Sequence, residues 1–121
     1  MPLFQTDSRN KAFIITIEGF AEVDRAADFV GKLKNEVSTI DVNNYTLIAD
    51  GTHLKTFKPE ILPLLEKSYA LYMSLGFKKV LVVNPQRVTP RLQVKRVAKN
   101  VQFTGEFIPS LQEALHISAN L

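Results

Sequence analysis

The stretch Gly76-Phe77-Lys78-Lys79-Val80-Leu81-Val82-Val83-Asn84-Pro85 decides how this chain is read. Its apolar residues run from Phe77 to Val83, broken only by two lysines, and stop at an Asn-Pro pair that signals a turn. A strand with one wet face would alternate apolar and polar residues, so a run this continuous fits a strand covered on both faces. Upstream, Tyr45-Thr46-Leu47-Ile48-Ala49 has the same character and ends at Asp50-Gly51. Residues 11–18 are rich in β-branched and aromatic side chains and are closed by Gly19, which reads as a further strand. Residues 3–6 predict a short strand beside it, and residues 102–108 the last one.

Between these runs the apolar spacing changes to that of helices. Over residues 21–38, Val23, Ala26, Ala27, Val30, Leu33 and Val37 recur at three- and four-residue steps, leaving Asp24, Asp28, Lys32 and Glu36 on the wet side. Pro59 suits the first position of a second helix, where its missing N–H has no intrahelical partner to lose. Ile61, Leu62, Leu64, Leu65, Tyr69, Leu71, Tyr72 and Leu75 supply its apolar stripe, with Gly76 as the stop. Pro63 predicts an irregular first turn, because its ring conflicts with the carbonyl four residues back. Thr89-Pro90 predicts a third helix, Thr89 capping and Pro90 first, running to about residue 100. Pro109-Ser110 starts a last helix through Ala114 and Leu115. The expected architecture is a single α/β domain over residues 1–121, with a mixed, mostly parallel sheet of about five strands and about four helices.

Composition supports one core: 121 residues, 45% hydrophobic and 22% charged, with no apolar run long enough to cross a bilayer. Cysteine is absent, which excludes disulfides, thiolate metal sites and a cysteine nucleophile. No basic-then-apolar secretory leader is visible at Met1–Ser8, so a cytoplasmic protein is expected.

Catalytic constellations fail one by one. The two histidines, His53 and His116, lie far apart and offer no metal-binding spacing, so no metal is expected. Asp50, Thr52 and His53 crowd one loop, where the mutual geometry of a triad is rarely reached, and His53 reads as a solvated loop residue. The five glycines stand singly, which removes the phosphate cradles of dinucleotide and nucleoside triphosphate enzymes. No cofactor is expected, and the chain reads as non-enzymatic.

Charge is segregated. Residues 1–66 carry 7 basic and 10 acidic side chains, whereas residues 67–105 carry 8 basic and no acidic ones. On the third helix, Val94, Val97, Ala98 and Val101 define a core face, and Arg91, Lys95 and Lys99 line up nearly opposite at four-residue steps. Arg87 precedes this stripe, Arg96 flanks it and Leu92 lies within it. Such a face is either ordinarily solvated or a contact surface for an anionic partner. No aromatic residue interleaves to stack on bases, which disfavours nucleic acid.

The ordered features resemble the STAS family of sulfate-transporter and anti-sigma-factor-antagonist domains, especially its small stand-alone bacterial members. The resemblance rests on Phe13-Ile-Ile-Thr-Ile-Glu-Gly19 followed by a helix; Tyr45-Thr-Leu-Ile-Ala-Asp50 with Leu54; Glu60 to Leu75; Gly76-Phe77-Lys-Lys-Val-Leu-Val-Val83; and Phe107-Ile-Pro-Ser-Leu-Gln-Glu-Ala-Leu115. It implies a STAS-like fold and a protein-interaction module whose contact surface lies at the loop leading into the second helix. There the family carries Asp-Ser-Ser-Gly or Asp-Ser-Thr-Gly, whose phosphorylated hydroxyl disrupts docking of a kinase-like anti-sigma factor. The matching stretch here is Lys58-Pro59-Glu60-Ile61, with neither hydroxyl nor glycine. The phosphorylation switch is therefore not carried over. Thr56 reads as a turn or capping residue, and Glu60 as a carboxylate favoured by the helix dipole. The expected partner-binding residues are Thr56, Phe57, Lys58, Pro59 and Glu60. The alternative is an anion-binding face for nucleic acid or acidic lipid made by Arg87, Arg91, Lys95, Arg96 and Lys99. A homo-oligomer is left open.

Overall fold

Residues that cannot bury a polar face must sit between two layers, and the centre of the sheet follows that rule. The computed structural model describes residues 3–17 and 26–121. Five strands, β1 (Leu3–Asp7), β2 (Ala12–Thr16), β3 (Thr46–Asp50), β4 (Lys79–Val83) and β5 (Glu106–Ile108), form one sheet in the order β1-β2-β3-β4-β5. β1 runs antiparallel to β2, and the remaining pairs are parallel. The helices are α1 (Ala26–Val37), α2 (Leu62–Ser74), α3 (Val88–Asn100) and α4 (Leu111–Ala119).

The strand order dictates the layering. From β2 to β5 each strand lies on the same side of its predecessor, so right-handed crossovers place all three intervening helices on one face. On that face Phe13, Ile15, Leu47, Ala49 and Val82 pack with Leu33 and Val37 of α1, Tyr69 and Tyr72 of α2, and Val94, Val97 and Ala98 of α3. The next residues along the same strands face the other way, and Ala12, Ile14, Ile48, Leu81, Val83 and Ile108 are covered by α4 through Ala114. α4 carries its own start signal, since the Ser110 hydroxyl accepts the Glu113 backbone N–H at 3.1 Å. Near its far end the buried Ser118 hydroxyl donates to the Asn10 and Lys11 carbonyls at 2.8 and 3.0 Å, latching α4 to the β1–β2 turn. That turn is closed by Asp7, whose carboxylate accepts from the backbone and side-chain N–H groups of Asn10.

Several boundaries differ from expectation for identifiable reasons. Pro59 opens a short 3-10 turn, Pro59–Ile61, and α2 begins only at Leu62, so the irregular start imposed by Pro63 is observed. Gly76 adopts φ +87°, the left-handed turn that ends the helix. α3 starts at Val88 rather than after Thr89, with Arg87 in the capping position and no side-chain cap. Pro90 thus occupies the third helical position, where its missing N–H is still no loss. The last strand shortens to Glu106–Ile108. Residues 21–25 of the first expected helix, with Val23 and Asp24, fall outside the described residues, as does Gly19.

Candidate docking surface

The loop that leaves β3 is built from the inside outward. Asp50 is buried at the end of the strand, and its carboxylate accepts from the Thr52 backbone N–H and hydroxyl, turning the chain at once. Gly51 follows because a Cβ there would meet Leu54 Cδ1 at 2.8 Å and the Val83 carbonyl at 3.2 Å, the same carbonyl that its N–H approaches. His53 is exposed and is not the partner of Asp50, so these three residues form a turn and no relay. Leu54 and Phe57 then return to the core.

Phe57 departs from the surface set expected for this loop. Its side chain is 5% exposed and packs in the main core, so it anchors the loop from within. Its backbone is held by a residue that the sequence reading did not single out. Gln93 of α3 accepts the Phe57 N–H at 2.8 Å and donates to the Phe57 carbonyl at 3.0 Å. One primary amide thereby satisfies both backbone groups, much as a neighbouring strand would. The available signal was a half-buried polar position next to Val94 on the core side of a helix, but its partner lies 36 residues away. With Phe57 pinned, Thr56, Lys58, Pro59 and Glu60 are all exposed at the start of α2.

The basic helix lies alongside. The Gln86 N–H donates to the Thr52 carbonyl at 3.1 Å, so the loops after β3 and β4 touch. Arg91 differs from the other cations of α3. It is half-buried, and its guanidinium donates from Nε to the Pro85 carbonyl at 3.1 Å and from a terminal nitrogen to the Gln86 carbonyl at 2.7 Å. This arginine staples the β4–α3 loop. Arg87, Lys95, Arg96 and Lys99 remain exposed. An open depression of about 550 Å³ is lined by Asn84, Pro85, Gln86, Arg91, Lys95 and Pro109, so of these exposed cations Lys95 alone reaches it. The side-chain oxygen of Asn84 is buried there without a hydrogen-bond partner.

Elsewhere, burial pushes the Tyr69 and Tyr72 phenols above the usual tyrosine range, with the neighbouring Tyr72 adding to the effect on Tyr69. Neither phenol ionises near neutral pH. Among the described residues no group of three or more His, Asp or Glu side chains converges on a metal position, and no helix is long and apolar enough to cross a membrane.

No known family pattern and no curated protein matches the sequence. Solved structures do match the fold. The unphosphorylated anti-sigma factor antagonist SpoIIAA superimposes with a TM-score of 0.67 at 12% identity, over 100% of this chain and 98% of that one. An anti-sigma factor antagonist from Mycobacterium paratuberculosis gives 0.68 at 14% identity, over 98% and 92% of the two chains. An uncharacterized protein with a SpoIIAA-like fold from Shewanella loihica gives 0.65 at 13%, over 97% and 91%. The fold is therefore STAS-like, an α/β layer with a mixed, mostly parallel sheet.

Proposed function

We propose that this chain is a non-enzymatic, cytoplasmic protein-interaction module of bacterial regulation. It docks a protein partner through Thr56, Lys58, Pro59 and Glu60, with Phe57 as the internal anchor, and it does so without a phosphorylation switch. The observation that carries this reading is the Gln93 clamp. It ties the backbone of an exposed loop to α3 at the start of α2, in a fold shared with solved anti-sigma factor antagonists. A rigid loop loses little conformational freedom on binding, which is what a constitutive docking surface needs. The absence of a hydroxyl between Lys58 and Ile61, where the resembled family is phosphorylated, supports a contact without that particular switch.

The test is affinity capture from the native host, identification of the captured protein, and titration of that purified protein against the wild type and a Lys58→Glu/Glu60→Lys variant. Reversing both charges is expected to weaken binding by about tenfold or more, equivalent to about 1.4 kcal/mol. Unchanged affinity in the charge-reversed variant would remove this loop as the docking surface.

A further inference from the structure

The outward face of α3 has a composition that the fold does not explain. Among the described residues the exposed large hydrophobics are Leu3, Val88, Leu92 and Leu121. Leu3 opens the first strand and Leu121 follows the end of α4, whereas Val88 and Leu92 stand one turn apart on the same helix, 64% and 61% exposed. Pro90, Val94, Val97 and Ala98 fill the core side of α3, so Val88 and Leu92 point directly away from it. Around this pair stand Arg87, Lys95, Arg96 and Lys99, all exposed, and none makes an ion pair with a carboxylate among the described residues. The nearest stretch of sequence offers no relief, because residues 67–105 contain no Asp or Glu.

This arrangement works against the stability of the helix. Lys95 and Lys99 are like charges four residues apart, and Arg87 and Arg91 stand at the helix N-terminus, where the dipole disfavours cations. Arg91 offsets its cost by bonding two carbonyls, but Lys95, Arg96 and Lys99 make no such bonds among the described residues. An apolar pair ringed by uncompensated cations is complementary to one class of surface, an acidic amphipathic helix. Its leucine-type residues would cover Val88 and Leu92, and its carboxylates would meet Arg87, Lys95, Arg96 and Lys99. Nucleic acid would engage the charges through its phosphates, and a lipid surface binds in proportion to the apolar area inserted, of which α3, backed by the core, offers only Val88 and Leu92.

We infer that the outward face of α3 is a second docking surface, which takes an acidic amphipathic helical segment of a protein partner with Val88 and Leu92 as the apolar anchors. It is separate from the Thr56–Glu60 loop and stands independently of the function proposed for it.

A display library of helical 16-residue peptides, sorted on the wild-type protein, tests this. Enriched peptides are expected to be net negative with apolar residues at three- and four-residue spacing. They should lose about tenfold or more of their affinity on Leu92→Glu and keep it on Lys58→Glu/Glu60→Lys. Both variants change exposed residues, and circular dichroism confirms that they fold. A further readout comes from Lys95→Glu, which places a carboxylate between Arg91 and Lys99. It should abolish peptide binding while raising the melting temperature of the free protein by roughly 2 °C. The proposal is overturned by peptides without acidic bias, by equal binding to Leu92→Glu, or by no enrichment. It is equally overturned if a 20-nucleotide single strand, a phosphatidylglycerol vesicle or a second copy of the chain binds wild type and Leu92→Glu alike in place of peptide.

Discussion

The loop after β3 and the helix α3 are tied together by Gln93, yet the loop and the outward face of that helix are made in opposite ways. The loop is polar and exposed at its crest but is secured beneath by Leu54, Phe57, the Asp50 turn and the Gln93 clamp. The face of α3 is backed by an equally firm core of Val94, Val97 and Ala98, but its outer residues have no partners within the described chain. Internal needs account for Asp50, Gly51, Thr52, Leu54 and Phe57 of the loop and leave its crest, Thr56, Lys58, Pro59 and Glu60, exposed. They account for none of Val88, Leu92, Lys95, Arg96 and Lys99. A surface that the fold does not require is where an external partner is best sought, since natural chains depart from local consistency chiefly at functional positions.

The comparison breaks most severely if the anchor is removed. Phe57→Ala should destabilise the protein by about 3–5 kcal/mol in chemical denaturation, because it opens a cavity in the main core and frees the loop. Gln93→Ala comes next, at about 1–3 kcal/mol, since the Phe57 N–H and carbonyl lose their shared partner. Hydrogen exchange at the Phe57 amide should accelerate in that variant while the β3 amides stay protected. If the Phe57 amide exchanges no faster, the clamp does not hold the loop.

Arg91→Ala sharpens the contrast within α3 itself. Loss of its two bonds to the Pro85 and Gln86 carbonyls should cost about 1 kcal/mol, whereas Lys99→Ala should be neutral or stabilising by about 0.5 kcal/mol at most. Equal costs would show that the arginine is as dispensable as its neighbours. The smallest effect lies away from both regions, at the β1–β2 turn. The Asn10 side chain holds Asp7 below the usual carboxylate range, with the Asn10 backbone N–H adding to it. Because the folded group is depressed, its contribution to stability is present above the unfolded value, near about 3.9, and is lost as pH falls through the folded value. Asp7→Asn should therefore lower stability slightly and by a constant amount above about pH 5, and the difference from wild type should vanish as pH falls through the folded Asp7 value.

The layers themselves were legible in local patterns. The apolar run from Val80 to Val83 and the run from Thr46 to Ala49 announce strands covered on both faces, and each is such a strand. The prolines were equally informative: Pro63 foretold the 3-10 turn before α2. Thr89 misled, because the capping preference of a hydroxyl is worth only about 1 kcal/mol, and Arg87 stands at the cap with no side-chain bond. That shift of two residues placed Val88 on the helix surface, one turn before Leu92.

The docking surfaces were half legible. Composition exposed the basic character of residues 67–105, and helical periodicity placed Leu92 among the cations. Neither could distinguish Arg91, which is engaged, from Lys95, which is not. Nor could they turn Phe57 inward or assign Gln93 to hold it.

By itself the sequence determined the alternation of strands and helices and the residues that fill the core, because burial on one or both faces is written in spacings of two to four neighbours. The tertiary structure alone decided which polar groups are occupied and which are left free. Gln93 meets Phe57 across 36 residues and Ser118 meets Asn10 across 108, distances that only the crossovers of the sheet can close. A hydrogen bond requires its two atoms to lie within about 3 Å at a favourable angle, a condition that no local pattern of residues can express.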